Sequence, residues 1–491
     1  MAVRAQLATL LAWLSLASLA VPTSAEVTVV DAWPNLRTSA SLRTRGEFHN
    51  FFDPGGTADN DYAFGATVLR SAIAWRSASF DLVIEGQNSA LFGLPDDAVL
   101  PPPQGALDLG AVYFANNRAQ NDASVFLKQA YLNLKQLWVD GLSVKGGRFE
   151  FSEGSEVLTG EPTLDWLKNL RLSQRLIGPF GFSHVGRSFD GVTAELARGP
   201  FNVTTFAAHP TQGGFDLAGN KEMSDIDLGY VALNLTRPEL AKNSDARFFY
   251  IYYSDGRGLL KTDNRPLDVR ATDRNHIEIH SEGAHYIQAI PSAAGTFDAL
   301  AWGTVQQGKW GFLDHHAWAY ALEAGWQPTA LPAKPWVRIG YGRTSGDDDP
   351  NDGDHGTFFQ IIPTGRIYSY STYYNLMNDE DAFAQLLLRP IPGLLSRTDF
   401  HNIRVTESKD LWYQGSGATV SDRDVGFGYS GRPANGHHDL MEVIETSLSY
   451  DWNTHVFTNL YYGHLFGGGV VRAIFDGDQA DFGYIEVTIR L

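Results

Sequence analysis

The chain has 491 residues with no Cys, a net charge of −18, and 49 Gly and 22 Pro scattered through turns instead of gathered in a linker. Without Cys there is neither a disulfide framework nor a thiolate zinc site. Without a basic surplus, duplex nucleic acid is excluded as a partner, since binding it needs a basic face. The length suggests two or three soluble domains, yet no boundary separates them.

The N-terminus reads as an export signal. Arg4 supplies the positive region, Leu7–Val21 is an apolar run of 15 residues, and Thr23–Ala25 offers small residues for cleavage after Ala25. An uncleaved anchor is the alternative, but a spanning helix needs about 20 residues. No later segment reaches about 18 uninterrupted apolar residues, so a chain kept in a membrane after export must be a barrel. Residues 26–491 are therefore expected to form one barrel domain.

Membrane strands need about 9–11 residues with apolar and polar positions alternating. In chain order, such segments fall near 38–50, 63–75, 78–88, 124–136, 141–151, 187–197, 200–208, 225–236 and 246–254. They continue near 275–289, 296–307, 313–326, 336–344, 380–390, 398–410, 437–450, 453–466 and 482–491. The last alternates most cleanly: Ile485, Val487, Ile489 and Leu491 share one face, and Tyr484, Glu486, Thr488 and Arg490 the other.

The connections alternate between short and long, as in an antiparallel up-and-down barrel with short periplasmic turns and long outer loops. The segment near 308–312 breaks the rule, being outer and short. The run Ser345–Ala384, which holds the outer connection 345–379, is long, acidic and aromatic without an amphipathic period. A compact soluble domain rarely carries such a loop within a sheet. A secreted sandwich or propeller array is the rival. Against it stand the absence of a fixed repeat and a girdle of aromatics near strand ends: Trp75, Trp302, Trp318, Tyr320, Tyr341, Tyr450 and Tyr461. The expected fold is all-β, an 18-stranded antiparallel transmembrane β-barrel.

A pore needs fixed charge facing its water. Alternation nominates Arg70, Arg338, Arg404 and Arg490, each out of phase with apolar neighbours. Arg148, Arg187 and Arg389 are added, although Gly146 and Gly147 invite a bulge that shifts the phase. Guanidinium suits carboxylates through bidentate pairing. The plainer reading is that these arginines pair with Glu85, Glu323 and Glu486 to brace the lumen, because buried charges are normally paired.

Asp347, Asp349 and Asp352 have the oxygen density that Ca²⁺ favours but lack EF-hand spacing, so a solvated acidic loop competes with a Ca²⁺ site. No other cofactor is expected. Pro162–Leu172 has leucines at helical spacing and suits a small helix packed on the rim, with a plug over the pore as the alternative. Enzyme signatures are missing.

Several segments resemble the bacterial alginate export family of outer-membrane barrels. They are Gly181–Gly191, Asp298–Gly303, Trp318–Gly325, the acidic loop Ser345–Phe359, Tyr374–Asn378, Glu380–Pro390, Phe427–Arg432, Tyr461–His464 and Val470–Arg472. The resemblance implies an 18-stranded monomeric barrel in the Gram-negative outer membrane. In the family's alginate exporter, an Arg-rich lumen passes an anionic polysaccharide outward. The expectation is a passive channel, not an enzyme, for hydrophilic anionic solutes or polysaccharide, embedded in outer-membrane lipid and meeting periplasmic secretion partners. A general or nutrient-specific uptake porin is the alternative, and an outer-membrane hydrolase a distant third.

Overall fold

The computed structural model describes residues 26–28, 33–219, 221–236, 243–364, 368–415, 417, 419–420 and 428–491. The export signal expected over residues 1–25 lies outside the described residues. The first nine long strands are β1 Leu36–Asn50, β2 Asp61–Arg76, β3 Phe80–Phe92, β4 Asn121–Lys135, β5 Leu142–Phe149, β6 Phe189–Arg198, β7 Phe201–Pro210, β8 Ile226–Thr236 and β9 Ser244–Asp255. The rest are β10 Ile277–Ser292, β11 Gly295–Trp310, β12 Leu313–Gln327, β13 Trp336–Thr344, β14 Asp379–Leu388, β15 Leu394–Val405, β16 Asp439–Asp451, β17 Val456–Gly467 and β18 Gln479–Arg490. Each pairs antiparallel with the next, and β18 closes on β1 from Ser41↔Arg490 to Asn50↔Asp481. The 18 strands form a closed barrel, which satisfies every wall hydrogen bond without an open edge.

Each of the predicted segments coincides with one of these strands. The largest displacement is at 398–410, which becomes Leu394–Val405 because residues from Thr406 on leave the wall and enter a loop. The short connections gather at one end, taken as periplasmic, and the long ones at the other. The exception is the two-residue outer turn at 311–312 between β11 and β12. Gly311 has φ +65°, and a Cβ there would meet the Asp273 carboxylate at 2.2 Å, so the turn requires glycine.

Alternation builds the outer wall. Ile73, Ile339 and Ile485 are more than half exposed on the outside, while Tyr484, Glu486 and Thr488 point inward and are buried. The interior departs from an open tube. The long outer loops fold back into the lumen and carry the hydrophobic core there. Within loop 150–188, helix α1 (Pro162–Leu167) runs into a wider turn, Lys168–Leu172. Pro162 opens the helix, and the Glu161 carboxylate caps it by accepting from the Leu164 N–H.

This segment does not rest on the rim, as its leucines suggested. Trp166 packs 4.3 Å from Trp336, and Thr163 accepts from Gln327 Nε2. Trp336 opens β13 and Gln327 ends β12, so both contacts lie at the periplasmic end and the helix is a plug. Its Leu164, Trp166 and Leu167 belong to the same buried core as Phe358, Phe359, Ile361 and Ile362 of loop 345–378. A parallel bridge, Ile177↔Ile362, joins the two loops. The expected girdle is corrected at two places by this filling: Trp302 and Tyr461 turn inward and are buried, while Trp318 stays outside.

Candidate functional site

Between plug and wall lies a cavity of ≈ 320 Å³. Phe457 and Asn459 near the start of β17, and Thr488 near the end of β18, line it, which places it in the periplasmic half. Its charged lining comprises Arg43, Arg45, Arg70, Lys128 and Arg397 against Glu150 and Glu486.

The strands deliver these groups by simple alternation. On β1, Arg43, Arg45, Glu47 and His49 face in, while Leu42 and Phe48 face out. Lys128 arrives differently. The β3–β4 register slips between Glu85 and Gly86, leaving Lys128 as an extra residue, and this bulge turns it inward. Its Nζ donates to the Arg187 carbonyl at 2.9 Å and lies 3.3 Å from Glu150.

The cations are held in fixed poses. Arg43 donates to the carbonyls of Gly181 and Ser183 at 2.6 and 2.5 Å. Arg45 clasps Glu486 Oε2 from Nε and Nη2 at 2.9 and 2.6 Å and reaches the Phe182 carbonyl at 3.0 Å. The Gly181–Gly191 segment is thus docked against the arginines of β1. Arg70 donates to Glu85 and, at 2.9 Å, to Glu150. Preorganised donors of this kind need little reordering to meet an anion.

The nominated residues separate into four places. Arg70, Arg490 and Glu486 face the cavity or its mouth; Arg490 stands opposite Ser41 with its guanidinium 5.7 Å from the Phe457 ring. Arg338 and Arg187 point inward but are sealed. Arg338 binds Asp298 and, at 2.8 Å, Glu323, beside the rings of Trp166 and Trp336. Arg187 donates to the Gly178 and Pro363 carbonyls at 3.1 and 2.9 Å, stapling the two inserted loops. Arg389 follows β14 in a short turn, partly buried, with its N–H on the Ala333 carbonyl at 2.6 Å.

Arg148 and Arg404 lie in the outer phase, not in the lumen. Arg148 sits opposite Ala130 and Asp190 and donates to both carboxylate oxygens of Asp190 at 2.6 and 2.5 Å. Arg404 stands between Glu380 and Asp439, at 3.8 and 3.4 Å. The reason is the filled lumen. Ile403 and Val405 pack against the inserted loops with Trp412 and Tyr373, and Phe149 packs with Phe189 and Phe206. At these heights the apolar phase is the inner one.

The three aspartates of the acidic loop serve their own backbone. Asp347 Oδ1 accepts from the Asp349 N–H at 3.1 Å, Asp349 Oδ1 from Asn351 at 3.1 Å, and Asp352 Oδ1 from Asp354 at 2.9 Å. Nearby Asp410 accepts from Thr357 Oγ1 at 2.6 Å, the Asp347 N–H at 3.0 Å and the Tyr413 hydroxyl at 2.8 Å. Burial pushes its carboxyl up to about 7, and that of Asp347 up to about 6.

Sequence reading missed Arg43, Arg45, Lys128 and Arg397 as lining. The first two had a usable signal, since Arg-Thr-Arg-Gly-Glu alternates in phase with Leu42 and Phe48. Lys128 depends on a bulge, and Arg397 was assigned to a turn that the structure makes part of β15.

A closed barrel of this strand number, with lipid-facing side chains outside and a water-facing charged interior, defines an outer-membrane channel for solutes. The model of the family named Alginate export matches residues 35–483. The chain belongs to that family. No curated protein sequence matches it. Among solved structures it is similar to OccK9 (OpdG) of Pseudomonas aeruginosa, with a TM-score of 0.56 at 10% identity over 94% of this chain and 99% of that one. It is also similar to OccAB1 of Acinetobacter baumannii, with a TM-score of 0.56 at 10% identity over 95% and 98%. A third is OpdK of Pseudomonas aeruginosa, solved with vanillate, with a TM-score of 0.54 at 9% identity over 92% and 98%. These likenesses establish the fold, and family and fold alike are those of channels.

Proposed function

We propose that this outer-membrane channel passes small anionic solutes, with the periplasmic cavity as their binding station. The lining carries this reading: five cationic side chains against two carboxylates, in a protein of net charge −18. A pore's field is set by its own walls, because low-dielectric surroundings focus it. The cavity volume favours a carboxylate or a short uronate over a polysaccharide strand, since pockets of ≈ 300–1,000 Å³ hold single small ligands. A polymer would need the plug withdrawn. The barrel fold solved with vanillate supports carboxylates as a class. One chain closes the barrel, so no second chain is needed to complete its wall. Passage itself calls for no cofactor.

The test is current block in planar bilayers. Small carboxylates and uronate oligomers should reduce the ionic current, while neutral sugars of equal size should not. Equal block by neutral sugars would overturn the reading. Block by long polyuronates alone would favour polysaccharide passage.

A further inference from the structure

We propose a divalent transition-metal site in the barrel wall, formed by Asp399 and His401 of β15 and Glu445 of β16. It is independent of which solute the channel carries. The three side chains are buried, and each offers a ligand atom within 4.8 Å of the other two. Among the described residues this is the one trio of His, Asp or Glu that converges in this way.

The second observation is that the inward atoms are unused. His401 Nε2 and Asp399 Oδ1 have no hydrogen-bond partner, though both side chains are at most 1% exposed. Leaving such atoms bare in a buried site is unfavourable. His401 Nε2 lies 3.8 Å from Glu445 Oε1, too far for a hydrogen bond but a suitable separation for two ligands of one ion.

The surroundings orient the ligands as metal sites do. His401 Nδ1 lies 3.1 and 3.0 Å from the two carboxylate oxygens of Asp381, an acceptor-only group. Nδ1 therefore carries a proton, and Nε2, which has no hydrogen-bond partner, is the atom a metal would take by displacing any proton it holds. A carboxylate behind the imidazole is the usual second partner of a metal-bound histidine. Asp381 is itself fixed by the Tyr374 hydroxyl at 3.0 Å. Asp399 uses Oδ2 to bind Arg397 and keeps Oδ1. Glu445 uses mainly Oε2, accepting from Ser369 Oγ and the Tyr461 hydroxyl, each at 2.8 Å.

Charge points the same way. Asp381, Asp399 and Glu445 carry three negative charges and Arg397 one positive. A divalent cation that displaces any proton on His401 Nε2 leaves the imidazole neutral and brings the buried group to zero, as burial demands. One imidazole with two carboxylates suits Zn²⁺ or a neighbouring first-row ion and not Ca²⁺, which takes oxygen alone. Glu445 also accepts the Tyr370 N–H at 2.9 Å. The ion would thus tie the wall to inserted loop 345–378.

The experiment is isothermal titration of Zn²⁺ into the full barrel in detergent, after chelator treatment and dialysis. It is paired with total-metal analysis and with X-ray absorption of the Zn²⁺-loaded protein. One saturable site per chain is expected, with nitrogen and oxygen neighbours. His401→Gln should abolish it, and Asp381→Asn should weaken it about 10–100-fold, as loss of a second-shell partner does. His315→Gln, in the separate buried pair His315–His355 whose Nδ1 atoms lie 2.8 Å apart, should leave it unchanged. Gel migration without boiling confirms that each variant is folded. The proposal is overturned if the parent shows no saturable site, if folded His401→Gln binds as the parent does, or if His315→Gln removes the site. Should His401→Gln fail to fold, the parent titration and the Asp381→Asn comparison still decide.

Discussion

Arg338 illustrates why an inward arginine need not meet the solute. Its guanidinium is fully buried, bound to Asp298 and Glu323, while Arg171 of the plug segment shares Glu323 at 2.9 Å. Removing it strips Asp298 of its guanidinium partner and leaves Glu323 to Arg171 and to Arg175 at 3.7 Å. Breaking a buried ion pair from one side costs about 3–5 kcal/mol, whereas partly exposed pairs are worth about 0–1 kcal/mol. Arg338→Ala should therefore lower markedly the temperature at which the fast-migrating unboiled gel band disappears. Arg404→Ala, on the outer wall, should barely move it. Equal shifts would contradict the assignment of the two arginines to inner and outer faces. The inward phase of Arg338 was legible because Val337 and Ile339 face lipid. Arg404 was not, since its apolar neighbours Ile403 and Val405 face a core that only the folded loops create.

At the scale of the element, the plug governs access. The helix was legible from its leucines, but its depth was not, because depth depends on Trp166 meeting Trp336 across more than a hundred residues of sequence. Trp166→Ala removes that contact and a large buried side chain. The plug should loosen, and single-channel conductance in planar bilayers should rise or become noisier than in the parent. Unchanged conductance would show that the plug does not limit flow.

The outer loops add a pH dependence. Asp410 and Asp347 have carboxyls raised by burial to about 7 and about 6, against about 3.9 in an unfolded chain. The folded loop binds more protons than the unfolded one between these values. Loop stability is thus fullest below about 4 and falls as pH rises through 6 and 7. Hydrogen exchange over residues 345–364 should be faster at pH 8 than at pH 5 after correction for intrinsic rates. Asp410→Asn should flatten the difference. A slower corrected exchange at pH 8 would contradict the sign.

For the whole molecule, strand number, order and the two classes of connection were legible because period-two alternation and turn chemistry act locally. What fills the barrel was not, because that is set by loops meeting across the lumen, as at Ile177↔Ile362. The same holds for Asp399, His401 and Glu445, whose convergence depends on the β15–β16 register, Asp399↔Glu445. The molecule is a sealed wall around a second, loop-built core, with a basic cavity between them.

The most direct test of that account is ion selectivity in planar bilayers at low salt, read as a reversal potential across a salt gradient. The parent should prefer anions, and the preference should fade as the Debye length shrinks from about 30 Å at 0.01 M to about 3 Å at 1 M. Arg43→Glu, inside the cavity, should lower or reverse it, while Arg404→Glu, the same charge change on the outer wall, should leave it unchanged. Cation preference in the parent, or equal effects of the two substitutions, would contradict the basic cavity as the determinant of passage.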